Sequence, residues 1–238
     1  MKYALHSVSY AGLWQGQTYL SLEDFIRKAA KLGYDGVEIM AKRPHLSPLD
    51  IDARKLDSIG GLLKNEGIEC ACIAGYTDFL LGADSMVASV ELQIIYAERL
   101  CEMAQALGCK LVRVFTGYEN KNMGYISQWK ICADALKECS KRAAKYNVII
   151  GVQNHHDIGV DHHSMKEFID EVGEENCLPM FDAWAPAQMG ADLKEAVLSV
   201  GKIAYTTAAD YIRVQKYNSD LITYSRGTDM LKAVKMGE

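Results

Sequence analysis

Residues 29–38, AAKLGYDGVE, and residues 104–114, AQALGCKLVRV, repeat one pattern. In each, a helical stretch ends in Leu-Gly, a tight turn follows, and a short apolar run begins. A glycine at that place can take the left-handed conformation that closes a helix, and we expect Gly33, Gly67 and Gly108 to do so. Both stretches are therefore interpreted as a helix followed by a buried strand, the repeating unit of an α/β fold.

Short apolar runs rich in β-branched residues alternate along the whole chain with longer stretches of helical period. This alternation predicts βα units that build a parallel sheet. The predicted strands are Tyr3–Ser9, Gly36–Met40, Ile68–Ala74, Lys110–Thr116, Val148–Asn154, Leu178–Asp182 and Ile203–Ala208. The predicted helices are Ser21–Leu32, Asp52–Asn65, Ser85–Leu107, Tyr125–Tyr146, Ser164–Val172 and Asp192–Val200.

No linker or low-complexity tract divides the 238 residues, so we predict a single domain over residues 1–238. The fold class is α/β, a (β/α)8 barrel, whose usual size is about 250 residues. Residues 211–238 have little helical period, so we expect the eighth strand and helix to be absent from this chain. A barrel of seven strands leaves two strand edges unpaired, and three arrangements would protect them. Residues 211–238 fold across the gap, another chain covers it as in a homo-oligomer, or the protein continues past Glu238. We favour the third.

Composition narrows the class of protein and of partner. The apolar share is 49% and the charged share 24%, values typical of a folded globular chain. The net charge is -5 and the basic residues are spread out, so no nucleic-acid partner is expected. No signal peptide and no membrane span is seen, which predicts a cytoplasmic protein without a membrane partner.

Polar residues stand at the ends of nearly all the predicted strands. In a parallel barrel these ends meet at one rim, where the active site forms. His6, Glu38, His45 and Arg113 come from the first, second and fourth units. Taken singly, each has a strong structural alternative, such as a buried pair between Arg113 and Glu38. The fifth strand runs into Gln153, Asn154, His155, His156 and Asp157, the sixth into Asp182 and Trp184, and the seventh into Asp210.

The fifth and sixth ends carry the most chemistry. Five consecutive polar residues follow the apolar run 148–152 and place the imidazoles of His155 and His156 at the mouth of a buried strand. Asp182 ends an apolar strand, where an ionised carboxylate is costly unless it meets a cation or several donors. Trp184 is placed to stack on the apolar face of a sugar ring or to cap the barrel end.

The ordered set of motifs resembles the xylose isomerase-like barrel family of sugar phosphate isomerases and epimerases. The motifs are KLGYDGVEIM at 31–40, ALGCKLVRVFTG at 106–117, VIIGVQNHHDIGVDHHS at 148–164, MFDAWAP at 180–186 and YTTAADYIR at 205–213. The resemblance spans most of the chain. It implies a small sugar substrate and a divalent metal, Mn, Mg or Zn, as cofactor.

The resemblance implies metal ligands that transfer only in part. The family's ligands are a Glu, an Asp, a His and a Glu on the fifth to eighth strands. Here they fall on Gln153, on Asp182, on Thr207 and beyond Glu238, so Gln153 and Asp182 are the predicted metal ligands. An amide oxygen can ligate a hard cation but cannot carry a catalytic proton.

We therefore expect an enzyme, an isomerase or epimerase that moves a proton next to a carbonyl with metal assistance. The predicted catalytic residues are His155, His156 and Glu38, and the predicted substrate-binding residues are His6, His45, Arg113, Trp184 and Asp210. Two alternatives stay open. One is a degenerate barrel that binds a sugar or a protein partner without turnover, and the other is a glycoside-modifying lyase or hydrolase on the same barrel.

Overall fold

The computed structural model describes residues 1–14, 16–155, 157–208, 210–214 and 230–234, with the side chains of residues 188, 210–214 and 230–234 left aside. The strands are β1 Ala4–His6, β2 Gly36–Met40, β3 Glu69–Ala74, β4 Leu111–Val114, β5 Ile149–Gln153, β6 Cys177–Asp182, β7 Tyr205–Thr207, β8 Asp210–Val214 and β9 Met230–Val234. The helices are α1 Leu22–Lys31, α2 Ala53–Glu66, α3 Ser89–Ala106, α4 Tyr125–Ala144, α5 His162–Val172, α6 Trp184–Gln188 and α7 Leu193–Ser199.

The first seven strands form one parallel sheet in the order of the chain. Each of these strands is hydrogen-bonded to the next one, and one or two helices connect them along the chain. This is the winding of a (β/α)8 barrel. Within the described residues this sheet has seven strands, so the predicted barrel without its eighth strand and helix is confirmed. β8 and β9 pair with each other in a separate antiparallel sheet, which the sequence reading of residues 211–238 did not anticipate.

The helix ends follow the predicted local chemistry. Gly33, Gly67 and Gly108 all have positive φ, which confirms the left-handed positions. The Ser21 and Asp52 side chains accept hydrogen bonds from backbone N–H groups of the first turns of α1 and α2. Such caps satisfy donors that would otherwise lack a partner at the helix start.

Several local predictions differ from the structure. The predicted strand Tyr3–Ser9 is a strand only over Ala4–His6, and Ser7–Tyr10 form a short 3-10 helix. α3 begins at Ser89 rather than Ser85, because residues 78–88 form a series of turns before the helix. α5 begins at His162, since the Asp161 carboxylate caps the N–H groups of His163 and Ser164 and leaves no capping role for Ser164. The short helix α6 after β6 was not predicted.

Two apolar layers hold the barrel. The larger lies between the outer face of the sheet and the helices and includes Phe25, Ile39, Leu100 and Phe168. The smaller lies inside the sheet, where Cys72, Leu111 and Met180 pack with Ile149 and Tyr205. Burial of this apolar surface is the main favourable contribution to folding. None of the described helices is both long and apolar enough to cross a membrane.

The close approach at Gly75 yields a stability prediction. A Cβ at Gly75 would lie 2.6 Å from the Arg113 backbone oxygen and 2.9 Å from Leu100 Cδ1, so Gly75→Ala forces the strand ends apart. We expect a loss of about 1–3 kcal/mol in the free energy of unfolding, the usual cost of overpacking a core.

Gly61→Ala is the matched control, because a Cβ there meets nothing within 4 Å in the middle of α2. It should stabilise the chain by about 0.4–1 kcal/mol. Urea denaturation of the two variants measures both effects. A Gly75→Ala variant as stable as the parent chain would contradict the packing described here.

Candidate active site

Inward-facing polar side chains meet at the carboxyl ends of the strands. His6 pairs in register with Glu38, Ala74 with Arg113, and Asp182 with Thr207. Because side chains alternate along a strand, Arg113 faces the barrel interior two residues after Leu111 of the inner apolar layer. Buried charged and polar groups thus stand directly above apolar ones.

Arg113 is at the centre of this group. Its guanidinium Nη1 donates to Gln153 Oε1 at 3.1 Å and lies 3.5 Å from Glu38 Oε1, and its Nη2 donates to the Gly75 carbonyl oxygen at 3.1 Å. Gln153 Nε2 in turn donates to Asp182 Oδ2 at 2.8 Å. The planar fork of an arginine suits several fixed acceptors at once. Contacts of Arg113 and Gln153 therefore connect the ends of five neighbouring strands, β2 to β6.

Glu38 is a carboxyl group whose environment raises its pKa. The side chain is buried, and among the described residues its Oε1 has no hydrogen-bond partner. Burial raises the pKa of Glu38, the Arg113 charge opposes that rise, and the Asp182 charge adds to it. A carboxyl with a raised pKa can release and take up a proton closer to neutral pH.

His6 stands beside Glu38 as a neutral imidazole. Its Nε2 is 3.8 Å from Glu38 Oε1, and about a fifth of its side chain is exposed. Burial lowers the pKa of His6 well below its usual value, and the charges of Arg113 and His45 lower it further. At neutral pH this ring is therefore uncharged, with an N–H donor on one nitrogen and an acceptor on the other, so it can relay a proton between its two nitrogens.

Aromatic rings surround the guanidinium and extend to the rim. The Arg113 Cζ lies 4.7 Å from the Tyr76 ring centre and 4.5 Å from that of Phe115, distances typical of cation–π contacts. Lys42 Nζ covers Tyr76 at 3.9 Å from its ring centre. Burial and the Arg113 charge both lower the pKa of Lys42. Two cations thus share one aromatic ring at the mouth of the barrel.

The segments after β5 and β6 place His155 and Trp184 at the same mouth. The His155 ring packs 4.9 Å from Phe115 and 6.1 Å from Trp184 between ring centres. The Asn154 side chain fixes this turn, since it donates to the Asp182 backbone oxygen at 2.9 Å and accepts from the Asp182 N–H at 2.8 Å. His155 and Trp184 therefore line the approach to Arg113.

Asp157 holds the same turn from its other side. Its buried carboxylate accepts a hydrogen bond from the Thr116 N–H at 2.7 Å. Burial raises the pKa of Asp157, and the hydrogen bonds from Thr116 oppose that rise. Thr116 Oγ1 accepts a further bond from the Gly159 N–H at 3.2 Å. These hydrogen bonds connect the loops after β4 and β5.

The structure brings together most of the predicted site residues. His6, Glu38, Arg113, Gln153 and Asp182 form one connected group, and the predicted pair of Arg113 and Glu38 exists. His155 and Trp184 lie above it. His156 falls outside the described residues, and the side chain of Asp210, the first residue of β8, does too.

His45 is engaged elsewhere in the fold. Its Nδ1 is 3.0 Å from Ser7 Oγ, its Nε2 is 3.2 Å from the Leu20 carbonyl oxygen, and its ring stacks on Phe25. Both ring nitrogens thus bind groups of the protein itself. A substrate-binding role for His45 stays a prediction. Burial lowers the pKa of His45, and the hydrogen bond to the Leu20 carbonyl oxygen opposes that shift.

Sequence reasoning missed Tyr76 and Phe115. A signal existed for Tyr76, because Tyr-Thr-Asp at 76–78 directly follows the apolar run of the third strand. Phe115 had no signal of its own, since an aromatic residue after an apolar strand is ordinary core material.

The hydrogen bonds of Gln153 and Asp182 decide whether these two predicted ligands could hold a metal. The Gln153 carbonyl oxygen faces the Arg113 guanidinium, and Asp182 Oδ1 and Oδ2 accept from the Trp184 N–H and the Gln153 amide. A divalent cation would have to displace N–H donors from these oxygens and lie beside a fixed positive charge. Among the described residues no three His, Cys, Asp or Glu side chains are grouped as a metal site. The ligating atoms that the described residues offer at this site therefore do not fit a divalent metal.

Comparison with known proteins agrees with this architecture. The chain shares 19% identity with the probable 3-DHS dehydratase AsbF of Bacillus anthracis, over 89% of this chain and 74% of that one, with a TM-score of 0.71. For 3-keto-D-glucoside 4-epimerase YcjR of E. coli the identity is 16%, the coverage 88% and 79%, and the TM-score 0.70. For a D-tagatose 3-epimerase-like protein the values are 20%, 88%, 76% and 0.70. At these identities the likeness establishes the fold.

A family model gives the classification. No curated protein sequence matches the chain. The model of the xylose isomerase-like TIM barrel matches residues 26–228, which is most of the chain and includes Glu38, Arg113, Gln153 and Asp182. The chain therefore belongs to the xylose isomerase-like TIM barrel family.

Proposed function

We propose that the protein is a sugar epimerase or isomerase that moves a proton next to the carbonyl of a small polyhydroxylated substrate. The observation that carries this proposal is the Glu38 carboxyl, buried 3.5 Å from the Arg113 guanidinium at the carboxyl ends of the strands. Active sites of (β/α)8 enzymes lie at that end. Two of the compared structures are named as a sugar epimerase and as a sugar epimerase-like protein, which supports epimerisation or isomerisation as the reaction class.

Glu38 is the group that we assign to proton transfer. Its carboxylate removes the proton on the carbon next to the carbonyl. In an isomerisation its acid form returns the proton to the neighbouring carbon of the enediolate, whereas an epimerisation needs a second acid that protonates the opposite face. His6, neutral and 3.8 Å away, relays the proton to and from solvent. His155 keeps its predicted role as a second acid or base, because it faces the same mouth from β5.

The rim residues bind the sugar. Trp184 and His155 offer stacked ring faces for the C–H face of a sugar, while Arg113 offers donors to its oxygens. The predicted metal does not enter these steps, because the described donors do not fit it. His156 and Asp210 remain predicted site residues, and a cytoplasmic location and a homo-oligomer remain predictions as well.

The proposal is tested first by substitution of Glu38. Glu38→Gln keeps the shape but removes the ionisable group, so kcat should fall about 10²–10⁴-fold, the usual contribution of a general base. The assay is product analysis by NMR or chromatography over a panel of ketoses and aldoses. Glu66→Gln, an exposed change at the end of α2, is the matched control and should leave kcat unchanged.

The outcomes separate the alternatives. Sugar binding without conversion would support the degenerate barrel, and loss of water from the substrate would support a lyase. A Glu38→Gln variant as active as the parent chain would remove Glu38 from the mechanism.

The pH dependence follows from the direction of the Glu38 pKa. The base must be ionised, so kcat/KM should fall as the pH drops through the pKa of Glu38. Since burial raises that pKa, the acidic limb should lie above the ordinary carboxyl value of 4.5. The pH profile of kcat/KM for the parent chain measures this limb. A limb at or below 4.5 would contradict the assignment.

Trp184 should contribute to substrate binding and not to the chemical step. Trp184→Ala removes the ring and should raise KM about 2–10-fold, as expected from the loss of about 0.5–1.5 kcal/mol of stacking. Trp184→Phe keeps a ring and should stay near the parent KM. Steady-state kinetics of the two variants provide the test, and an Ala variant with unchanged KM would place Trp184 outside the sugar site.

A further inference from the structure

We propose that Arg113 supplies the fixed positive charge of this site and that the reaction proceeds without a divalent metal. This inference rests on the proposed function, because it assigns the group that stabilises the oxyanion formed when the proton leaves. The oxyanion is the carbonyl oxygen of the substrate, which becomes negative as Glu38 takes the proton. A fixed cation or donor beside that oxygen is the largest contribution in many enzymes of this chemistry.

The first support is the way in which the guanidinium is held. Arg113 is only 4% exposed, and its two Nη donors are fixed by Gln153 and by the Gly75 carbonyl oxygen. The rings of Tyr76 and Phe115 confine its plane. A cation fixed in this way costs no reorganisation when negative charge develops beside it.

The second support is a set of buried polar atoms whose hydrogen-bonding capacity is not used within the described residues. Arg113 Nε, Glu38 Oε1 and Thr207 Oγ1 are buried and have no hydrogen-bond partner among the described residues. Buried polar groups are rarely left in this state unless a ligand or water completes them. A donor on Arg113, an acceptor on Glu38 and a hydroxyl on Thr207 match the oxygens of an α-hydroxycarbonyl compound.

The third support is the identity of residue 153. A guanidinium can only donate, so it fixes the Gln153 amide with Oε1 toward Arg113 and Nε2 toward Asp182. A glutamate at this place would neutralise Arg113 and would add a carboxylate beside Asp182. The amide instead connects the cation to Asp182 and adds no further carboxylate beside Arg113, so the positive charge of Arg113 faces the oxyanion once Glu38 has taken the proton and lost its own charge. Gln153 is therefore a positioning residue.

The first experiment measures metal directly. The full chain is purified without chelator, its metal content is measured by mass spectrometry, and Mn²⁺ alone is titrated into the EDTA-dialysed protein by calorimetry. We expect substoichiometric metal and no saturable one-to-one binding in the micromolar range. We also expect turnover after EDTA treatment within about twofold of the untreated value. Saturable one-to-one Mn²⁺ binding, or turnover lost with EDTA and restored by Mn²⁺, Mg²⁺ or Zn²⁺, would overturn the inference.

The second experiment replaces the cation. Arg113→Ala should lower kcat about 10²–10³-fold, the cost of losing one oxyanion donor. Millimolar guanidinium should restore part of that loss, whereas Mn²⁺ should not. Arg113→Lys keeps the charge but not the fork, so it should recover only part of the parent kcat. Rescue of Arg113→Ala by Mn²⁺ and not by guanidinium would contradict the role. Near-UV circular dichroism of each variant confirms that it folds.

The third variant tests the positioning role. Gln153→Glu should lower kcat with little change in KM, because the new carboxylate neutralises Arg113. Unchanged kcat would contradict the role of the amide. If the parent chain converts no sugar of the panel, the proposed function fails on its own. The Mn²⁺ titration then decides the inference, since it needs no turnover.

Discussion

The buried Arg113 guanidinium is the constraint around which the rest of the site is arranged. An ionised side chain inside a barrel is costly unless charged and polar partners surround it. Here the partners come from different strands: Glu38 from β2, the Gly75 carbonyl oxygen from the end of β3, and Gln153 from β5. Gln153 extends the contacts to Asp182 on β6. Removal of one partner leaves a buried charge less compensated, so these side chains act as one unit.

The barrel supplies the conditions that this unit requires. A parallel sheet wound in chain order brings the carboxyl ends of successive strands together, and the alternation of side chains turns the same positions inward. The apolar layer of Cys72, Leu111 and Met180 closes the barrel below the charged group. Gly75 lets the backbone approach the Arg113 strand closely enough for its carbonyl oxygen to accept from the guanidinium. Burial in these surroundings raises the pKa of Glu38 and lowers that of His6, while the Arg113 charge opposes the first shift and adds to the second.

Much of this arrangement could be predicted from residue patterns, and the parts that could not have physical reasons. The seven strands and the left-handed positions of Gly33, Gly67 and Gly108 follow from local periodicity and glycine chemistry. The grouping of Glu38, Arg113 and Asp182 follows from the meeting of strand ends. The orientation of His45 toward Ser7 and Leu20 depends on tertiary contacts that no local pattern records. The packing of the Tyr76 and Phe115 rings against the Arg113 guanidinium also depends on tertiary contacts.

In the proposed function, this site moves a proton between Glu38 and the carbon next to a sugar carbonyl. Turnover of a ketose substrate in D₂O, followed by NMR, tests it most directly. Deuterium from solvent should appear at that carbon in product and in recovered substrate, and the rate of its appearance should collapse in Glu38→Gln. Deuterium that enters that carbon at the parent rate in Glu38→Gln would mean that another group removes the proton, and it would contradict the role of Glu38.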